Sequence, residues 1–160
     1  MSVSLWGNGQ TILQVQTFVL TTKFSTTGAP YQACGLSVSI TPFATTSKIL
    51  CMVDARGGSS ASGIYWVLQR NGSAIYTGTQ NAGSQQTSTG QVYQADPNSG
   101  AQYSVVYIDS PATTASTTYQ LAIASYNGNI ATINRSANDT NASYGWTGAS
   151  SITVMEISGA

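Results

Sequence analysis

The chain contains no histidine, and its charge is confined to five Lys and Arg against five Asp and Glu in 160 residues. Without histidine, a serine or cysteine nucleophile lacks the base it normally needs. The basic residues Lys23, Lys48, Arg56, Arg70 and Arg135 stand singly. Phosphate binding requires them clustered, so nucleic acid is not an expected partner. Two cysteines, Cys34 and Cys51, are too few for a disulfide framework. Set in apolar, strand-like sequence, they read as buried free thiols. No apolar run approaches the length that spans a bilayer, so no membrane contact is expected. The opening Met1–Gln10 has neither a basic segment nor an apolar core and is not read as a secretory signal.

Motifs for chemistry are equally scarce. Carboxylates for glycoside hydrolysis would have to come from Asp54, Asp96, Asp109, Asp139 and Glu156. Asp54 and Asp109 end strand-like runs, so a pair between loops is the one arrangement to look for; the others read as turn or structural residues. Asn138-Asp139-Thr140-Asn141 offers hard oxygens but a single charge and no known calcium-loop spacing, and reads as a solvated loop. Asn-x-Ser/Thr triplets at Asn71, Asn134, Asn138 and Asn141 are expected by chance in a chain so rich in Ser and Thr. No catalytic residue, cofactor site or metal site is assigned.

What fills the chain instead is Ser, Thr, Gly, Asn and Gln, interleaved with aromatic and β-branched residues at regular intervals that argue against disorder. The organising stretch runs from Gly35 to Ala55. Leu36, Val38 and Ile40 alternate with Ser37, Ser39 and Thr41, the mark of a half-buried antiparallel strand. Pro42 ends it, and the short apolar run Lys48-Ile-Leu-Cys-Met-Val53 reads as a central strand covered on both faces. Gly57–Gly63 is expected to be a flexible loop with no apolar anchor. Ile64–Arg70, Asn71-Gly72 and Ser73–Thr77 predict a hairpin with a type I′ turn, placing Ile64, Trp66 and Leu68 on the core face. Gly78–Gly90 reads as an exposed loop. Tyr103–Ile108, Thr117–Tyr126, Ile130–Asn134 and Ser151–Ile157 complete the strands, with Tyr103, Val105 and Tyr107 sharing one face. About eight to ten strands and no credible helix give an all-β, jelly-roll-like antiparallel sandwich. Residues 1–10 are assigned to an extended arm and residues 11–160 to one sandwich domain. Of the tryptophans, Trp66 is expected in the core. Leu5 and Trp6 in the arm, and Tyr144 and Trp146 in a polar loop, are the candidate interface residues, with sugar stacking as the other use of such aromatics.

Several segments, in order along nearly the whole chain, resemble a family of tailed-phage virion proteins. They are Ile12-Leu-Gln-Val-Gln16, Phe24-Ser-Thr-Thr27, Gly35-Leu-Ser-Val-Ser-Ile-Thr-Pro42, Ser47-Lys-Ile-Leu50, Leu68-Gln-Arg-Asn-Gly-Ser-Ala-Ile75, Tyr107-Ile-Asp-Ser-Pro-Ala-Thr-Thr114, Thr117-Thr-Tyr119, Ile133-Asn-Arg135 and Ala149–Ile157. The resemblance implies a jelly-roll sandwich, a homotrimer and no enzymatic activity, and it supplies no catalytic residues. The expected role is a capsid decoration or cement protein on the virion surface, partnered by its own copies and the major capsid protein. The alternative is a tail-fibre receptor-binding tip that recognises host surface glycans. A free-standing carbohydrate-binding module or hydrolase is disfavoured by the missing histidine and motifs. The strand pattern begins at Ile12, leaving room for a short arm but not for a fibre shaft, which favours the decoration role.

Overall fold

A computed structural model describes residues 11–60, 62–80 and 83–159; the proposed arm lies outside them. The described chain forms eleven strands: β1 (Ile12–Leu20), β2 (Phe24–Thr26), β3 (Gln32–Ile40), β4 (Lys48–Gly57), β5 (Ser62–Arg70), β6 (Ser73–Tyr76), β7 (Gly90–Gln94), β8 (Ala101–Asp109), β9 (Thr117–Ser125), β10 (Ala131–Ile133) and β11 (Ser150–Ile157). One sheet has the order β1-β11-β4-β8 and the other β3-β9-β5-β6, with β7 beside β6 along the same edge of β5 and β10-β2 as a small separate ladder. Setting aside β2, β7 and β10, the remaining strands taken in sequence order run 1-8-3-6 in the first sheet and 2-7-4-5 in the second. That is the jelly-roll arrangement. The count exceeds the expected eight to ten because two strands show no alternation in the sequence: β2, only three residues long, and β7, which is largely polar; Ile130–Asn134, predicted as a strand, is β10.

The pairs β5·β6, β4·β8, β3·β9 and β1·β11 are nested one outside the next around the Asn71-Gly72 turn. Asn71 and Gly72 have φ of 48° and 82°. A type I′ turn needs positive φ at both central residues, and Gly accepts it without the cost a Cβ brings. Inside the sandwich, Leu36, Ile40, Ile64, Leu68, Leu121 and Ile123 from the second sheet meet Ile49, Cys51, Val53, Ile152 and Val154 from the first in one core. Trp66 stacks on Tyr103 across the two sheets, with ring centroids 4.7 Å apart. At the β6/β8 edge, Tyr76 stacks on Tyr107 at the same centroid distance and closes that side.

Two sequence readings are corrected. β4 is central, but it is not covered on both faces. Ile49, Cys51, Val53 and Ala55 are buried, whereas Leu50 and Met52 are half-exposed on the outer side. The second correction concerns residues 57–63. Gly57, Gly58 and Ser59 are buried, and Ser59 bridges to Ala131. The N–H of Gly58 donates to Thr132 Oγ1 (2.7 Å), and that of Thr132 to the Gly58 carbonyl (2.9 Å). Glycine is here for close approach: a Cβ on Gly57 would stand 1.9 Å from the Thr132 carbonyl oxygen. Because that neighbour is backbone and cannot swing aside, Gly57→Ala should lower stability by about 2–3 kcal/mol, the upper part of the overpacking range. Urea unfolding measures it, and a change below about 0.5 kcal/mol, the scale of a neutral surface substitution, would show that this junction is loose.

Candidate interface and binding surfaces

The carboxylates are each held by structural partners. Asp54 and Asp109 do not converge: Asp54 lies on the outer face of β4 opposite Ser104, while Asp109 is buried at the far end of β8 opposite Ile49. Asp109 accepts from Arg70 Nη1 at 3.0 and 2.8 Å and from the Tyr119 hydroxyl at 2.7 Å. The trio joins β5 and β9 of one sheet to β8 of the other. Burial, then the hydrogen bond to Asp109, raises the Tyr119 pKa, so the phenol stays a donor. Asp139 pairs with Lys23 at 2.6 Å and with Arg135 at 3.8 Å. Asp96 Oδ1 accepts from the Asn98 N–H in its turn, and Asp54 Oδ1 accepts from Gln102. Among the described residues, no group of three or more His, Cys, Asp or Glu is placed to hold a metal.

Glu156, read from the sequence as a structural carboxylate, is one, and its partners lie far from it in the chain. It is fully buried. Its Oε2 accepts from Gln14 Nε2 at 2.6 Å and its Oε1 from the Phe43 N–H at 2.8 Å. Burial alone pushes this carboxyl up, but the neighbouring Ser47 hydroxyl, the Gln14 amide and the backbone N–H groups of residues 43 and 44 outweigh it and leave the pKa below its ordinary value. The side chain thereby pins the Pro42–Ser47 connection onto β1 and β11. Both thiols are free and buried. Burial raises Cys34 to about 11 and Cys51 to about 12, which keeps them protonated and inert.

Of the candidate interface residues, Leu5 and Trp6 lie outside the described residues. Tyr144 and Trp146 share a loop but not an environment. Tyr144 is 60% exposed. Trp146 is half-buried; its Nε1 donates to the Asn98 carbonyl at 3.1 Å and its ring lies against Gly100. Trp146 forms a wall between two clefts, one of about 440 Å³ against Arg56 and Gln102 and one of about 350 Å³ against Lys23, Asp139 and Asn141. It braces the loop from which Tyr144 projects.

The surface that sequence reading missed is the outer face of the first sheet. Register aligns Val15, Met155, Leu50 and Ile108 in a row across all four strands, with Met52 and Val106 in the next row. Val15, Ile108 and Val106 are 48, 46 and 69% exposed. The patch ends in β1, an edge strand without a single charge, on which Ile12, Leu13, Phe18 and Val19 are exposed as well. Long, apolar, uncharged edges are what monomeric sheet proteins avoid. The signal was present in the sequence: Val106 and Ile108 are apolar at positions of opposite parity to Tyr103, Val105 and Tyr107. Comparison with protein-family models and with curated proteins gave no match for this chain.

The Glu156 cluster sets a pH dependence. A carboxyl whose folded pKa lies below the ordinary 4.5 contributes its full stabilisation above that value and loses it as pH falls through the folded one. Glu156→Gln should cost about 1.5–3 kcal/mol at neutral pH, the range for a hydrogen bond to a charged group. It should also flatten the acid limb of the stability profile. Urea unfolding from neutral pH down to about pH 3, in wild type and variant, checks both; parallel profiles would remove Glu156 from the acid response.

Proposed function

We propose that the chain is a non-enzymatic structural protein of a tailed-phage virion, a homotrimeric capsid decoration or cement protein seated on the major capsid protein. The observation that carries the assembly half of this reading is the apolar row Val15, Met155, Leu50 and Ile108 across the outer face of the first sheet, continued by Met52 and Val106 and by the uncharged edge strand β1. Exposed apolar rows of that character mark protein–protein contact. The phage assignment rests on the sequence resemblance, whose segments fall mainly on the strands and turns of the jelly roll. The structural employment of all five carboxylates is consistent with the absence of a catalytic role. Leu5 and Trp6 of the arm are the proposed anchor to the shell, since an arm with too few apolar neighbours to fold alone gains order against a partner.

Immunogold labelling of intact particles with an antibody to this chain tests the location. Label over the shell is expected, whereas label confined to tail tips would replace this reading with the receptor-binding alternative. Light scattering at micromolar concentration tests the assembly, with a trimer expected and a monodisperse monomer counting against it. Val106→Lys should leave fold stability within about 0.5 kcal/mol, as exposed substitutions do, yet weaken trimerisation or shell binding. Unchanged behaviour in both would free this face of an assembly role.

A further inference from the structure

We infer that the opposite side of the sandwich, the outer face of the β3-β9-β5 sheet, carries a groove for a neutral sugar unit of a glycan. Tyr65 lies on β5 between the inward-facing Ile64 and Trp66, so it faces away from the core. Tyr126, just past β9 and 49% exposed, meets it edge to face, with centroids 6.5 Å apart and planes at 67°. The two rings bound a pair of adjoining depressions. The larger, about 490 Å³, also takes in Gln85, Gln86 and Gln91; the smaller, about 220 Å³, reaches Asn127 and shares Gln86. Neither is lined by a charged residue.

This combination selects a ligand class. Amide side chains donate and accept at once, which suits hydroxyl groups, and no charged side chain is present to bind a phosphate, sulfate, carboxylate or ammonium. The tyrosine faces offer flat apolar surface for the C–H face of a sugar ring, and each carries a hydroxyl at its tip. The side chains of Gln85, Gln86 and Gln91 are exposed at the lining of the larger depression, where they can turn toward a ligand. The groove is also braced. Tyr31 donates from its hydroxyl to the Thr87 carbonyl at 2.6 Å, Thr89 N–H donates to Trp66 O at 2.8 Å, and Tyr126 N–H donates to Gly63 O at 3.2 Å. Burial pushes the Tyr31 phenol up to about 12, so that tether persists at any physiological pH.

The inference goes beyond the assembly reading and does not rest on it, because the groove and the apolar face look in opposite directions. The test is heteronuclear NMR or calorimetric titration of the purified wild-type protein with neutral glucan, mannan and galactan tetrasaccharides, with a sulfated galactan tetrasaccharide as charged counterpart. Saturable binding of at least one neutral probe is expected, with shifts confined to Tyr65, Tyr126 and the three glutamines. Tyr126→Ala, at an exposed turn position, should weaken it about tenfold or more. Gln86→Ala, in a loop that contributes nothing to the core, should also weaken binding and stands in if the tyrosine variant misfolds. No binding of any neutral probe, tighter binding of the sulfated one, or affinity unmoved by both substitutions would each overturn the proposal. None of these results bears on whether the chain trimerises or where the particle carries it.

Discussion

Asn71 and Gly72, both at positive φ, set the point about which the chain doubles back, and the rest of the pairing is laid down around it. β5 and β6 form the innermost pair, and β4·β8, β3·β9 and β1·β11 follow outward until the two ends of the described chain meet. There the Ser158 N–H donates to the Thr11 carbonyl at 2.9 Å. Each successive pair closes a longer loop, and the entropic cost of closure rises only logarithmically with length. The turn is fastened to what comes later: the Asn71 N–H donates to Thr118 O and its Oδ1 accepts from Thr118 N–H, both at 2.8 Å. One residue before the turn, Arg70 reaches Asp109. The apex of the roll is thus tied to β8 and β9 as well as to itself.

A chain with so few charges buries two carboxylates, and both sit where one part of the roll must be locked to another. Asp109 joins the sheets at the apex end, and Glu156 fixes the crossing from β3 to β4 against the β1/β11 pair. Buried ionised groups are expensive to desolvate, and the cost is recovered only when several good donors converge. Arg70 and Tyr119 supply them at one site, and Gln14 and the backbone of residues 43–44 at the other. The apolar core is permissive about register, but a carboxylate that must meet particular donors is not. Placed on β8 and β11, these two groups help to set how the strands slide past their neighbours.

Alternation made most of the fold legible. Leu36/Val38/Ile40, Ile64/Trp66/Leu68 and Tyr119/Leu121/Ile123 alternate cleanly because one side of each strand meets the core, and the inward set was readable from the letters. The Asn71-Gly72 turn was legible for a different reason, since few residue pairs accept its dihedrals. What escaped detection had no local pattern to betray it. β7 was hidden by Gly90 and by the polar Gln91 and Gln94, and its pairing with β5 is a long-range event. Gly57 to Ser59 looked like a flexible linker because glycine serves mobility and tight packing with the same letter. Glu156 ends an apolar strand like any solvated cap, and nothing nearby in sequence announces Gln14 or Phe43. Of the candidate site residues, Tyr144 stands exposed, whereas Trp146 proved to be a brace. Its partners, Asn98 and Gly100, are distant in sequence.

The two outer faces of the sandwich differ in a way that follows from composition and position together. On the first sheet, β1, β4 and β8 carry apolar residues at both parities, so the side that misses the core keeps an apolar row, flanked on β4 by Lys48, Asp54 and Arg56, with nothing among the described residues over it. On the second sheet the outward residues are chiefly Tyr, Gln, Ser and small Ala, and the loops at one end frame a polar aromatic groove. A monomer gains nothing from the first of these faces; leaving it in water forgoes roughly 25 cal/mol for each Å² of apolar surface, and a partner covering it would recover that. The second face is comfortable in solvent, so an assembly that covers the first would leave the groove open outward.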